Sequence, residues 1–170
     1  MDIKELLDED AFDPEKLFNE EEYSTLIINR EGFSKKENSS ADLIEGLLEK
    51  EISREESETI FSQLKQNGAT ALLVDAIKKA ARVEEKTKLT AACWETGLDF
   101  SADFLMFVEL ACHDDFQLAL EALSVVESTE AVFPEEILKT ALDIAQSGGK
   151  KNPQLVNDLI DNLKQRMHGE

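Results

Sequence analysis

Val108-Glu-Leu-Ala-Cys-His-Asp-Asp-Phe-Gln-Leu-Ala-Leu-Glu-Ala-Leu-Ser-Val-Val-Glu127 admits two readings, and the fold turns on which is taken. Cys112, His113, Asp114 and Asp115 stand side by side, and those residue types build metal sites and nucleophilic centres. They also build turns. If residues 102–113 form one helix and 115–128 the next, the cluster lies at their junction, and Asp114 or Asp115 caps the second helix by accepting from a free amide. His113 then ends the first helix, where partial positive charge is favoured by the helix dipole. Cys112 continues the apolar stripe of Leu105, Val108 and Ala111, as a small buried hydrophobe does. Each residue has a structural task, so the stretch is read as a turn.

The chemical alternative is a small metal-dependent enzyme using Glu109 and His113, four apart on one helix face. A zinc site usually needs four ligands with paired spacing, and the chain offers one other histidine, His168, near its end. A cysteine nucleophile needs an electropositive setting, whereas this neighbourhood is acidic and raises a thiol pKa. There is no glycine-rich phosphate loop, no Gly-x-Ser-x-Gly and no dinucleotide fingerprint. No catalytic residue, cofactor or metal is therefore expected.

Working outward, apolar residues recur at helical spacing from about Ala41, with helix-ending chemistry between the runs. Ser53-Arg-Glu-Glu56 reads as a capping box. Asn67-Gly68, Gly97 and Gly148-Gly149 read as left-handed stops. Asn152-Pro153 reads as a cap followed by proline in the first turn, and Pro134 with Glu135 and Glu136 as another start. These marks predict helices near 42–50, 54–67, 69–81, 85–96, 102–113, 115–128, 135–147 and 153–167. Tyr23–Ile28 has strand-like β-branched content but nothing to pair with, and residues 31–40 read as a linker. The expected division is an acidic N-terminal segment and linker over 1–40 and a helical domain over 41–170.

A shift of 31 residues aligns Val74 with Leu105, Ile77 with Val108, Ala80 with Ala111, Leu89 with Leu120 and Ala92 with Leu123. Lys86 falls on Gln117, Thr90 on Glu121, Cys93 on Ser124, and Trp94 on Val125. A weaker third copy starts near Glu135, with Leu138, Ala141 and Ile144, then Leu155, Leu159 and Leu163. Repeating helix pairs characterise an α-solenoid of stacked antiparallel hairpins. His113–Glu127 resembles the turn and second helix of a HEAT or armadillo repeat. The resemblance implies a scaffold whose second helices share one face, and that face would carry Lys86, Thr90, Cys93, Gln117, Glu121 and Ser124, with Gln154, Asp158 and Asp161 extending it. Cys93 should then be accessible and Cys112 buried. The basic residue that HEAT repeats commonly carry early in the second helix is absent, with Leu118 and Ala119 in that region, so an irregular helical bundle stays open. Trp94, Phe104, Phe107 and Phe116 are expected in the core, and Phe133 as a staple for the helix after Pro134.

The formal charge of -19 opposes binding to DNA, RNA or anionic lipid, all of which need a basic footprint. No run approaches the ~18 apolar residues of a membrane span, and an acidic N-terminus with two cysteines is expected of a cytoplasmic protein. The function expected is a non-catalytic interaction or scaffolding module with an acidic surface for a basic protein partner. The rival within binding is an acidic nucleic-acid mimic that occupies a basic groove.

Overall fold

The structure of the protein, a computed structural model, describes residues 39–169 except Lys50 and Gly149. The chain divides into a unit of Met1–Glu37 and one of Asn38–Glu170, and every described residue belongs to the second. Tyr23–Ile28, the acidic N-terminal segment and residues 31–38 lie outside the described residues.

The described chain is all-α. It forms α1 (Ser40–Leu48), α2 (Arg54–Gln66), α3 (Thr70–Lys79), α4 (Val83–Thr96), a 3-10 turn (Ser101–Asp103), α5 (Phe104–Ala111), α6 (Phe116–Ser128), α7 (Glu135–Ser147) and α8 (Pro153–His168). All eight helices lie where periodicity predicts them, because apolar spacing and terminal chemistry act over a turn or less. Ser53 and Glu56 form the predicted capping box. The hydroxyl accepts from the Glu56 amide at 3.2 Å, and the Glu56 carboxylate accepts from the Ser53 amide at 2.9 Å. Those bonds hold the Glu56 carboxyl below its ordinary pKa. Ser39, expected in the linker, forms the same box with Asp42, both bonds at 3.2 Å, so the first described helix begins at Ser40. Gly68 and Gly97 end their helices at φ +60° and +58°, the left-handed region a Cβ disfavours.

Two expected signals serve other purposes. Gly148 ends α7 at φ -97°, outside the left-handed region, and Gly149, the other residue of that expected stop, lies outside the described residues. A Cβ there would stand 2.7 Å from Cys112 Cβ and 3.2 Å from the Ile144 carbonyl oxygen, so contact with Cys112 is what requires glycine. Asn152 precedes Pro153 as predicted, but its side chain does not cap α8. Its Nδ2 donates to the carbonyls of His113 at 3.0 Å and Asp114 at 3.2 Å, tying the α7–α8 connection to the α5–α6 turn.

The helices pair in sequence as α1/α2, α3/α4, α5/α6 and α7/α8, and each pair also packs on its sequence neighbours. Helix α1 meets α3 and α4, α2 meets α4, α4 meets α6, α5 meets α7 and α8, and α6 meets α8. The buried surfaces carry Leu64, Leu73, Ile77, Leu89, Phe107, Val108, Leu118, Leu159 and Leu163, each at most 2% exposed. Phe133 stacks on Phe104 with ring centroids 4.1 Å apart, so it bridges to α5. Arg166 of α8 lies with its guanidinium 5.8 Å from the Phe104 ring centroid and donates to the Val126 carbonyl at 2.7 Å. It thereby supplies the cation that the last turn of α6 lacks.

Candidate partner-binding face

The Cys112–Asp115 stretch forms the α5–α6 turn, and each of its four side chains has a neighbour there. The Asp115 carboxylate accepts from the Leu118 amide at 3.0 Å and caps α6. The Asp115 amide donates to His113 Nδ1 at 3.0 Å, a bond that needs the imidazole's acceptor lone pair. His113 thus has an acceptor's task inside the turn. Asp114 pairs with Lys151 at 2.8 Å, and this hydrogen bond holds its carboxyl below the ordinary carboxylate range. Cys112 packs on Gly148. Among the described residues no group of three His, Cys, Asp or Glu side chains is arranged to hold a metal ion.

The six residues expected on the second-helix strip do not share one surface. Gln117 is exposed, and Lys86, Glu121 and Ser124 are half-buried. Thr90 and Cys93 are fully buried, so neither can meet a partner in this conformation. The Thr90 hydroxyl has no hydrogen-bond partner among the described residues, a destabilising arrangement. Gln154, Asp158 and Asp161 on α8 are exposed.

The error lies in the repeat offset. Buried positions of α4 and α6 coincide at a shift of 33, not 31: Leu89 with Ala122, Thr90 with Leu123, Ala92 with Val125, Cys93 with Val126 and Thr96 with Thr129. The first helices keep 31, since Leu73 corresponds to Phe104 and Ile77 to Val108, all buried. Two residues are therefore gained between the cores of the paired helices, across the Cys112–Asp115 turn. At the shift of 33 Trp94 falls on Glu127, and both are exposed.

Trp94 is accordingly not a core residue as expected from its alignment with Val125; it is 38% exposed. Its indole N–H donates to the Glu121 carboxylate at 2.7 Å, joining the outer edges of α4 and α6. Phe116, also expected inside, is 58% exposed, and Leu120, one turn on, is 40% exposed. A large apolar side chain left at the surface beside others is a more informative observation than one alone. The signal was present in α6: Phe116, Leu120 and Glu127 lie on the stripe opposite Leu118, Ala122 and Val125.

The cysteines reverse the expected order of accessibility, with Cys93 buried and Cys112 half-buried. Burial raises both thiol pKa values, with the Asp103 charge adding a smaller effect at Cys93. A maleimide at mildly alkaline pH is expected to modify Cys112 in the native protein and Cys93 only in urea. Mass mapping of the modified peptides reads the order, and native labelling of Cys93 first would contradict the packing of α4 on α6.

No helix among the described residues is long and apolar enough to cross a membrane. Comparisons with protein-family models, with curated proteins and with solved structures returned no match.

Proposed function

We propose that the protein is a non-catalytic interaction module, a short α-solenoid of the HEAT or armadillo kind, that holds a basic protein partner on the outer edges of α4 and α6. The packing order supports the row: hairpins meet their sequence neighbours, as in a stack where each repeat covers the next. The observation that carries the binding reading is Trp94, exposed yet fixed by its bond to Glu121. A tryptophan held in one orientation offers a large contact area with little further loss of side-chain freedom on binding. Leu120 and Phe116 add apolar surface on α6, and exposed Glu95 and Glu127 supply negative charge near the same helix ends. A partner bearing lysine or arginine around an apolar side chain has the matching chemistry.

The test is photo-crosslinking from position 117 in native lysate, with an equivalent crosslinker at Lys139 as control. A partner captured from position 117 alone is expected to be basic and to be released as salt rises through a few hundred millimolar, because exposed charge pairs are screened. Glu121→Gln keeps an acceptor for the indole but removes the charge, and should weaken the captured complex about threefold. Equal capture from both positions, or affinity unchanged by Glu121→Lys, would overturn the reading.

A further inference from the structure

We propose that the cleft between α1 and α2 is a second docking site, separate from the α4–α6 face, and that it takes a short basic amphipathic segment of another protein, an aliphatic side chain inserted between the helices. The cleft measures about 580 Å³. Leu43, which is buried, and half-buried Ile52 and Ile60 give it apolar surface, beside the polar Ser53, Thr59 and Gln63. Its rim carries exposed Glu49, Glu51 and Glu55, and no lysine or arginine lines it among the described residues. These three glutamates enter none of the ion pairs formed among the described residues. The nearby Lys88 ammonium is engaged by the Glu49 carbonyl oxygen. Three exposed carboxylates around apolar side chains favour a ligand with cations flanking an aliphatic anchor, and disfavour an acidic one.

Gly46 is the second observation. It stands inside α1, where glycine is a poor helix former, and it lines the cleft. It is not among the residues with positive φ, and among the described residues a Cβ built on it would meet only Ile60 Cδ1, at an ordinary 3.5 Å. Neither backbone conformation nor packing demands glycine here, in contrast to Gly148. What its missing side chain does is leave one wall of the cleft open to close approach. Stability and occupancy therefore make opposite demands on this position.

That opposition gives the test. The probe is a fluorescein-labelled peptide of lysine, alanine and leucine with leucines three and four apart, titrated against the full chain by anisotropy. Gly46→Ala is expected to raise the thermal midpoint by about 2–5 °C and to weaken the peptide about fivefold. Glu51→Lys combined with Glu55→Lys should weaken it by more than about tenfold at low salt. A peptide of equal charge with serine for leucine should bind no better to wild type than to Gly46→Ala. Emission from Trp94, the sole tryptophan, should stay unchanged, which separates this site from the α4–α6 face. The proposal is overturned if the leucine-free peptide binds equally well, if Gly46→Ala lowers the midpoint, or if it leaves affinity intact. Binding that shifts Trp94 emission and ignores Gly46→Ala would place the peptide on the other face. A self-association lost in Gly46→Ala would assign the cleft to a second copy, and also overturn the proposal.

Discussion

Phe107→Ala is expected to lower the free energy of unfolding by about 3–5 kcal/mol. The side chain is 1% exposed, and its ring meets Phe100 edge to face, with centroids 5.6 Å apart and planes at 74°. Helix α5 packs on α6, α7 and α8, so the cavity would open where two hairpins join. Removing the ring forfeits both its transfer free energy and the contacts of surrounding atoms that relax only partly. Phe107→Leu keeps most of the volume and should cost under about 1.5 kcal/mol. Urea unfolding followed by circular dichroism measures both, and the midpoint should fall while the slope stays constant. Against a typical total of about 5–15 kcal/mol, the alanine variant approaches the limit of folding. A cost below about 1 kcal/mol would mean that Phe107 is not packed in the core against Phe100 as described.

Gly148→Ala is expected to cost about 1–3 kcal/mol, by crowding. The added methyl would overlap Cys112 Cβ at 2.7 Å and press on Cys112 Sγ and the Ile144 carbonyl oxygen, each at 3.2 Å. Neither neighbour is the free end of a long side chain, so the α7–α8 connection has to shift. That shift would disturb the Asn152 bonds to His113 and Asp114 and the Lys151–Asp114 pair. If the cause is this clash, Cys112→Gly should recover part of the loss in the Gly148→Ala background, although alone it destabilises. A thermal-unfolding double-mutant cycle reads the coupling. Additive losses would show that the two positions do not touch. The comparison with Gly46 is instructive, since the same substitution is expected to stabilise there.

The helices and most of their ends were legible in the sequence, because what creates them is local. The Ser53–Glu56 box, the left-handed glycines at 68 and 97 and the spacing of Leu118, Ala122 and Val125 all act between residues at most a turn apart. The turn at Cys112–Asp115 was legible for the same reason, down to a cap from one of its two aspartates, which is Asp115. The surface was misjudged where local chemistry is ambiguous. Thr90 and Cys93 are expected outward, yet both are buried, and beside them the hydroxyls of Thr87 and Thr96 donate back to the Val83 and Cys93 carbonyls, both at 2.9 Å, leaving methyl groups to pack. Helix α4 therefore carries a threonine-rich buried stripe, and a reading that assigns threonine and cysteine outward places its exposed face too far around the axis.

Sequence was enough to establish the all-α character of the described residues, their eight helices and the turns that separate them. Those features follow from backbone hydrogen bonding, capping and apolar period within single segments. Only the tertiary structure decided that Cys93 is buried while Trp94 reaches Glu121, that Asn152 binds the preceding hairpin's turn, and that Gly148 is required by Cys112. Each depends on residues 27 to 39 positions apart whose distance is set by how neighbouring hairpins seat, and that seating changes with the two residues gained across one turn. A helix knows its own period; which side of it faces water is determined by the helix beside it.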